Sequence, residues 1–173
     1  RRPDLGRQLN EPSIDLLQSA GIARNQDVAI ILADGLSATA INNHAIPFLK
    51  LLIPSLSDSG ISLAPITLVE HGRVAIGDEI GELWKAKLSV ILIGERPGLS
   101  SPDSMGVYFT YRPTVGLTDD SRNCVSNIRP AGLPYQAAAE KLFYLIKESL
   151  RLKLSGVNLK DSASLPGEQV TTA

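Results

Sequence analysis

Asp27-Val28-Ala29-Ile30-Ile31-Leu32-Ala33-Asp34-Gly35 is the stretch that decides the fold. From Val28 to Ala33 the run is uninterrupted apolar and rich in β-branched side chains, the pattern of a strand buried on both faces. Such strands belong to parallel sheets covered by helices on each side. Asp34-Gly35 closes the run, and Ser37 stands where a helix N-cap is expected. Beyond it Ala38, Ile41, Ala45, Phe48, Leu49 and Leu52 recur at helical spacing up to a break at Pro54, so the segment reads as strand, turn and helix.

The same reading extends in both directions. Upstream, Leu9, Ile14, Leu16, Leu17 and Ile22 mark an amphipathic helix within residues 7–22, starting late because of Pro12 and ended by Gly21. Downstream, Ile61 to Val69 reads as extended, with Pro65 arguing for an edge or a bulge, and a short segment from Asp78 to Lys87 follows. Leu88-Ser89-Val90-Ile91-Leu92-Ile93 repeats the buried apolar pattern and stops at Gly94-Glu95-Arg96-Pro97-Gly98. Val107 to Tyr111 reads as a shorter strand, 113–120 as a loop, and Tyr135 to Leu152 as a last helix stopped by Ser155-Gly156. Alternating strands and helices predict an α/β domain over residues 1–160, with an N-terminal helical arm, an open, mostly parallel sheet and helices on both faces. Residues 161–173 read as a polar, frayed tail.

Composition narrows the function classes. A net charge of −1 over 173 residues gives no electrostatic case for nucleic acid or an anionic membrane surface. One cysteine, Cys124, excludes an intrachain disulfide framework and any multi-thiolate metal site, and it fits a reducing cytoplasm. The apolar runs fall far short of the ~20 residues a membrane helix needs. Arg1-Arg2-Pro3-Asp4 carries neither an initiating Met nor the apolar core of a secretory signal, and the chain reads as truncated or processed there.

In open α/β sheets ligands bind outside the carboxyl ends of the strands. That rule brings Asp34-Gly35-Leu36-Ser37 and Gly94-Glu95-Arg96-Pro97-Gly98 to one crevice. Glu95 and Arg96 could instead close their loop as an ordinary charge arrangement, and Asp34 to Ser37 could be no more than a tight turn with a helix start. Arg122-Asn123-Cys124-Val125-Ser126-Asn127 sets a thiol among amides and a hydroxyl, which suits a neutral, amide-rich ligand. With neither His44 nor His71 near it in sequence, Cys124 reads as a small hydrophobe or ligand contact rather than a nucleophile. The two histidines lack the spacing of a zinc site, and no Gly-x-Gly-x-x-Gly turn or phosphate-binding Lys loop follows a predicted strand.

Ala33-Asp34-Gly35-Leu36-Ser37-Ala38, His71-Gly72-Arg73-Val74, Ile80-Gly81-Glu82, Gly94-Glu95-Arg96-Pro97-Gly98-Leu99 and Arg122-Asn123-Cys124-Val125-Ser126-Asn127-Ile128 together resemble the small subunit of ethanolamine ammonia-lyase. The likeness runs from Arg2-Pro3-Asp4-Leu5-Gly6 to Ser155-Gly156-Val157-Asn158-Leu159-Lys160. It implies a Rossmann-like domain that binds the corrin of adenosylcobalamin. The domain would pack against a large TIM-barrel subunit that converts ethanolamine to acetaldehyde and ammonia, in a higher-order hetero-oligomer. Cobalamin contacts carry over to Val74, Glu95 and Cys124, with Asp34, Ser37, Arg96 and Ser126 as weaker candidates; catalytic and metal residues are expected from neither set. Members of the family usually carry a further segment before the Arg-Pro-Asp-Leu-Gly motif, so docking to the large subunit is expected to depend on it; the expected location is cytoplasmic, with a bacterial microcompartment left open because its targeting signal would lie in that segment. The competing reading is an assembly subunit that stabilises a partner and holds no cofactor.

Overall fold

A computed structural model describes residues 4–20, 25–98 and 103–160. Gly21, Leu99 and the tail from Asp161, each given a role by the sequence, lie outside the described residues. The strands are β1 (Val28–Ala33), β2 (Thr67–Val69), β3 (Leu88–Glu95), β4 (Ser104–Tyr111) and β5 (Arg122–Ile128). The helices are α1 (Glu11–Ser19), α2 (Ala38–Asp58), α3 (Ile76–Leu83), α4 (Tyr135–Leu152) and the short α5 (Val157–Lys160).

Both buried runs are strands, paired in parallel from Val28 with Leu88 to Ala33 with Ile93. The sheet order is β2-β1-β3-β4-β5. Pairing is parallel across β2-β1-β3 but antiparallel across β3-β4 and β4-β5. The mostly parallel sheet expected from the sequence is therefore corrected to a mixed one. The connection over residues 96–103 is too short for a parallel crossover, which takes about a dozen residues or more, so the chain turns back beside β3.

Helices cover both faces. Val28, Ile30, Leu88, Val90 and Leu92 join Phe48, Leu52 and Leu56 of α2 and Leu142 and Ile146 of α4 in one apolar cluster. Ala29, Ile31, Ile91 and Ile93 point the other way, against Ile76 and Ile80 of α3, with Leu9 and Leu17 packed on that cluster. Alternate residues of the same strands thus feed two cores, which is why the runs show no polar alternation.

Several boundaries move. Asn10 caps α1, accepting from the Ser13 N–H at 3.0 Å, so the helix begins at Glu11 and Pro12 falls in its first turn. Pro54 does not end α2, which runs to Asp58 and buries Leu56 completely; that burial offsets the backbone hydrogen bond proline cannot make. Pro65 confines the second extended segment to three residues of edge strand. The last helix matches its expected span, but Lys153 in the left-handed region, with φ 58°, stops it ahead of Gly156.

Asp27 anchors the start of β1. Its carboxylate accepts from the Ser62 N–H at 2.9 Å, the Ser62 hydroxyl at 3.0 Å and Lys87 Nζ at 2.8 Å. Desolvation by burial raises its pKa, but these bonds outweigh it and leave the group below its ordinary value. A lowered folded pKa means stability that is present above the unfolded pKa and lost as pH falls through the folded one. Asp27→Asn is expected to destabilise the fold by about 1 kcal/mol at neutral pH. In urea denaturation series, the gap between variant and wild type should close between roughly pH 5 and 2.

Candidate functional site

The carboxyl ends of β1 and β3 meet through their backbones. The Leu36 N–H donates to the Gly94 carbonyl at 2.8 Å and the Ser37 N–H to the Asp34 carbonyl at 2.9 Å. Gly35 turns with φ +56°, and a Cβ on Gly94 would overlap the Ser37 carbonyl and stand 2.7 Å from that of Asp34. The two loops expected to share a crevice abut through their backbones, and neither of the two clefts described below is lined by both.

Their side chains divide by role. Asp34 Oδ1 accepts from the Gly72 N–H at 3.2 Å, and Ser37 Oγ accepts from the Ala40 N–H at 3.2 Å as the α2 cap. Both hold the turn and the helix start in place. Glu95 pairs with Tyr108 rather than with Arg96: the Tyr108 hydroxyl donates to Glu95 Oε1 at 2.6 Å, while Arg96 is exposed. The Glu95 carboxylate lies across Gly106 of β4, where a Cβ would come within 2.7 Å of Oε1 and 2.8 Å of Oε2.

Tyr108 also stands opposite Cys124 in the β4–β5 register. Val125 and Ile128 both face the α2 and α4 core, because the register shifts opposite Gly106, between Met105 and Val107. Ser126 and Asn127 fall at that irregularity, exposed, with Asn127 at φ 58°. Val74, between β2 and α3, joins Tyr108 and Cys124 in lining an open cleft of about 570 Å³. A larger cleft of about 1130 Å³, between the N-terminal arm and β2, includes Gly35 but none of Val74, Glu95 or Cys124.

Val74, Glu95 and Cys124 are thus connected through a residue the sequence reading passed over. A signal for Tyr108 was present: in Val107-Tyr108-Phe109 the flanking residues are core, so period two puts the phenol on the opposite face, above β3 and β5.

Burial favours the protonated forms of the phenol and the thiol in this row. Burial, then the bond to Glu95, pushes the Tyr108 phenol far above its ordinary pKa. Cys124 counts among the exposed residues, yet desolvation is the largest influence on its thiol, raising its pKa; Glu95 adds to the rise and Tyr108 opposes it. A protonated thiol is a weak donor and a poor nucleophile. His44 lies buried elsewhere, its ring nitrogens 2.6 Å from the Tyr135 hydroxyl and 2.9 Å from the Asp103 carbonyl. Among the described residues no group of three or more His, Cys, Asp or Glu side chains is placed to hold a metal ion, and no helix is long and apolar enough to cross a membrane. What the row offers is an acceptor, a weak donor and an apolar wall.

One buried ion pair supports the row from below. Arg122, which opens β5, reaches both carboxylate oxygens of Asp78 on α3 at 2.6 Å and donates to the Leu117 carbonyl at 3.0 Å. The Arg122 and Asp78 side chains are 5% and 3% exposed.

The family model described as ethanolamine ammonia-lyase light chain (EutC) matches residues 1–160. The chain is 57% identical to the ethanolamine ammonia-lyase small subunit of Pseudomonas aeruginosa (strain LESB58), over 99% of this chain and 65% of that protein. It is 58% identical to that of Azotobacter vinelandii, over 95% of this chain and 62% of the relative, and 56% identical to that of Ralstonia nicotianae, over 96% and 62%. The chain thus spans less than two thirds of the length of these curated relatives. With a family match over residues 1–160 and identities of 56–58% over at least 95% of its length, the chain belongs to the ethanolamine ammonia-lyase light-chain family.

Proposed function

We propose that this chain holds the corrin of adenosylcobalamin through Val74, Glu95 and Cys124, as the small subunit of an ethanolamine ammonia-lyase complex. Asp34, Ser37, Arg96 and Ser126 surround that contact in the proposal. The larger subunit binds ethanolamine, and the hetero-oligomer releases acetaldehyde and ammonia. The observation that carries the reading is the joining of Glu95, Tyr108 and Cys124 across adjacent strands beside Val74.

The donor set fits the group. A corrin is a broad apolar ring edged by amide arms, which need acceptors, modest donors and an apolar wall rather than a strong base. Glu95 accepts from amide N–H groups, Cys124 donates weakly, and Val74 supplies apolar contact. The bound cofactor supplies the radical chemistry of the reaction; this chain orients its ring and excludes water from one side of it. An isolated chain offers only part of a site shared between subunits and is expected to be inactive by itself.

The test is co-purification with a matching large subunit, followed by adenosylcobalamin titration read by visible absorbance and a deaminase assay. Glu95→Gln and Cys124→Ala are each expected to raise the cofactor Kd by roughly 5- to 50-fold, the loss of one hydrogen bond, while the complex still assembles. A wild-type complex that assembles yet takes up no cobalamin would make the assembly-subunit reading the better one.

A further inference from the structure

We infer that Tyr108 and Gly106 are positioning residues that fix the Glu95 carboxylate for its ligand, an inference that rests on the corrin-binding reading above. A glutamate side chain has three rotatable bonds, and a carboxylate at the mouth of a strand would ordinarily sample many rotamers. Here two features of β4 remove that freedom. The Tyr108 hydroxyl, on a rigid ring at a paired strand position, holds Oε1 in a charge-assisted bond of 2.6 Å. Gly106 leaves the space in which the carboxylate lies: a Cβ there would stand 2.7 Å from Cδ and Oε1 and 2.8 Å from Oε2.

The consequence is an asymmetric acceptor. Oε1 is engaged by the phenol, and Oε2 has no hydrogen-bond partner among the described residues, so Oε2 is the atom presented to an amide N–H of the corrin periphery. The atoms nearest a Cβ on Gly106 all belong to Glu95, and the β4–β5 ladder shifts register opposite Gly106. Tyr108, opposite Cys124 in the β4–β5 register and bonded to Glu95, thereby stands between the two polar contacts of the proposed site.

Tyr108→Phe keeps the ring and its packing and removes only the hydroxyl; Gly106→Ala pushes the carboxylate off the strand. Both are tested in the complex with the matching large subunit, by adenosylcobalamin titration and in a double-mutant cycle with Glu95→Gln. Tyr108→Phe is expected to raise the Kd by roughly tenfold. Combined with Glu95→Gln it should weaken binding no further than the worse single variant, because the phenol acts through the carboxylate. A merely structural tyrosine would give losses that multiply, and that outcome overturns the inference. So does an unchanged Kd in Tyr108→Phe while Glu95→Gln still weakens binding, which leaves the corrin-binding reading standing. An unchanged Kd in Glu95→Gln overturns both. Gly106→Ala should follow the same pattern, its effect vanishing in the Glu95→Gln background; if that variant does not fold, the Tyr108 cycle decides by itself.

Discussion

Gly94→Ala is expected to be among the most damaging single methyl additions in this chain. The new Cβ would overlap the Ser37 carbonyl and crowd that of Asp34, and both obstacles are backbone. A flexible side chain could swing aside, but these carbonyls already accept from Ile41 and Ser37 and cannot move without loosening the α2 cap. Overpacking of this kind costs about 3 kcal/mol, at the upper end of the usual range. For a domain of this size that lowers the midpoint of thermal unfolding by roughly 6–12 °C. Gly98→Ala, where a Cβ meets nothing within 4 Å, is the control and should stay within about 1 °C of wild type. Equal midpoints for the two variants would show that the β1 and β3 loops do not abut as described.

The second large effect comes from the ion pair beneath β5. Asp78→Ala leaves the Arg122 guanidinium buried without its carboxylate, a loss on the order of 3–5 kcal/mol. Asp119 cannot replace it, because that side chain is fully exposed and 3.3 Å from Arg122 Nε, and a screened contact of that kind is weak. Pairing Asp78→Leu with Arg122→Met should recover much of the stability, since apolar side chains of similar size avoid the desolvation of two charges. Denaturant midpoints of the three proteins decide the matter: a single variant no worse than the double one would mean the pair is solvated and the arginine free to leave. In the cofactor titration Asp78→Ala should also weaken binding, because Arg122 sets the start of the strand that carries Cys124.

The legible part of this fold was the part with one period. β1, β3 and α4 declare themselves because every residue in them answers to a single environment: two-sided burial in the strands, one apolar stripe in the helix. β5 was not read as a strand because Arg122-Asn123-Cys124-Val125-Ser126-Asn127-Ile128 has two core residues, three apart, with the register shift between them; period two fails there. Antiparallel pairing of β4 was in principle readable from loop length, since residues 96–103 leave no room for a crossover helix. The candidate site was legible as loops, Asp34 to Ser37 and Gly94 to Gly98, because strand ends attract Gly, Asp and Ser for turn geometry as well as for ligands. Those two causes look alike in sequence. In the structure Asp34 and Ser37 bond the turn and the α2 start, while Glu95 crosses to β4. Nothing in the spacing of Glu95, Tyr108 and Cys124 announces that they meet.

The mixed sheet has a further consequence for how a ligand meets this surface. Tyr108 and Cys124 project from within paired strands rather than from loops, so their backbones are held by ladder hydrogen bonds before any ligand arrives. On the proposed reading a platform of that kind is preorganised: the ordering entropy of association would fall on side chains such as Arg7 and Arg96, not on Tyr108 and Cys124. Hydrogen exchange at the amides of β4 would then follow global unfolding, whereas loops around the rim open locally and often. Variation in loop length among relatives can therefore reshape the rim while the platform keeps its geometry, much as a keyboard keeps its spacing when the case around it changes.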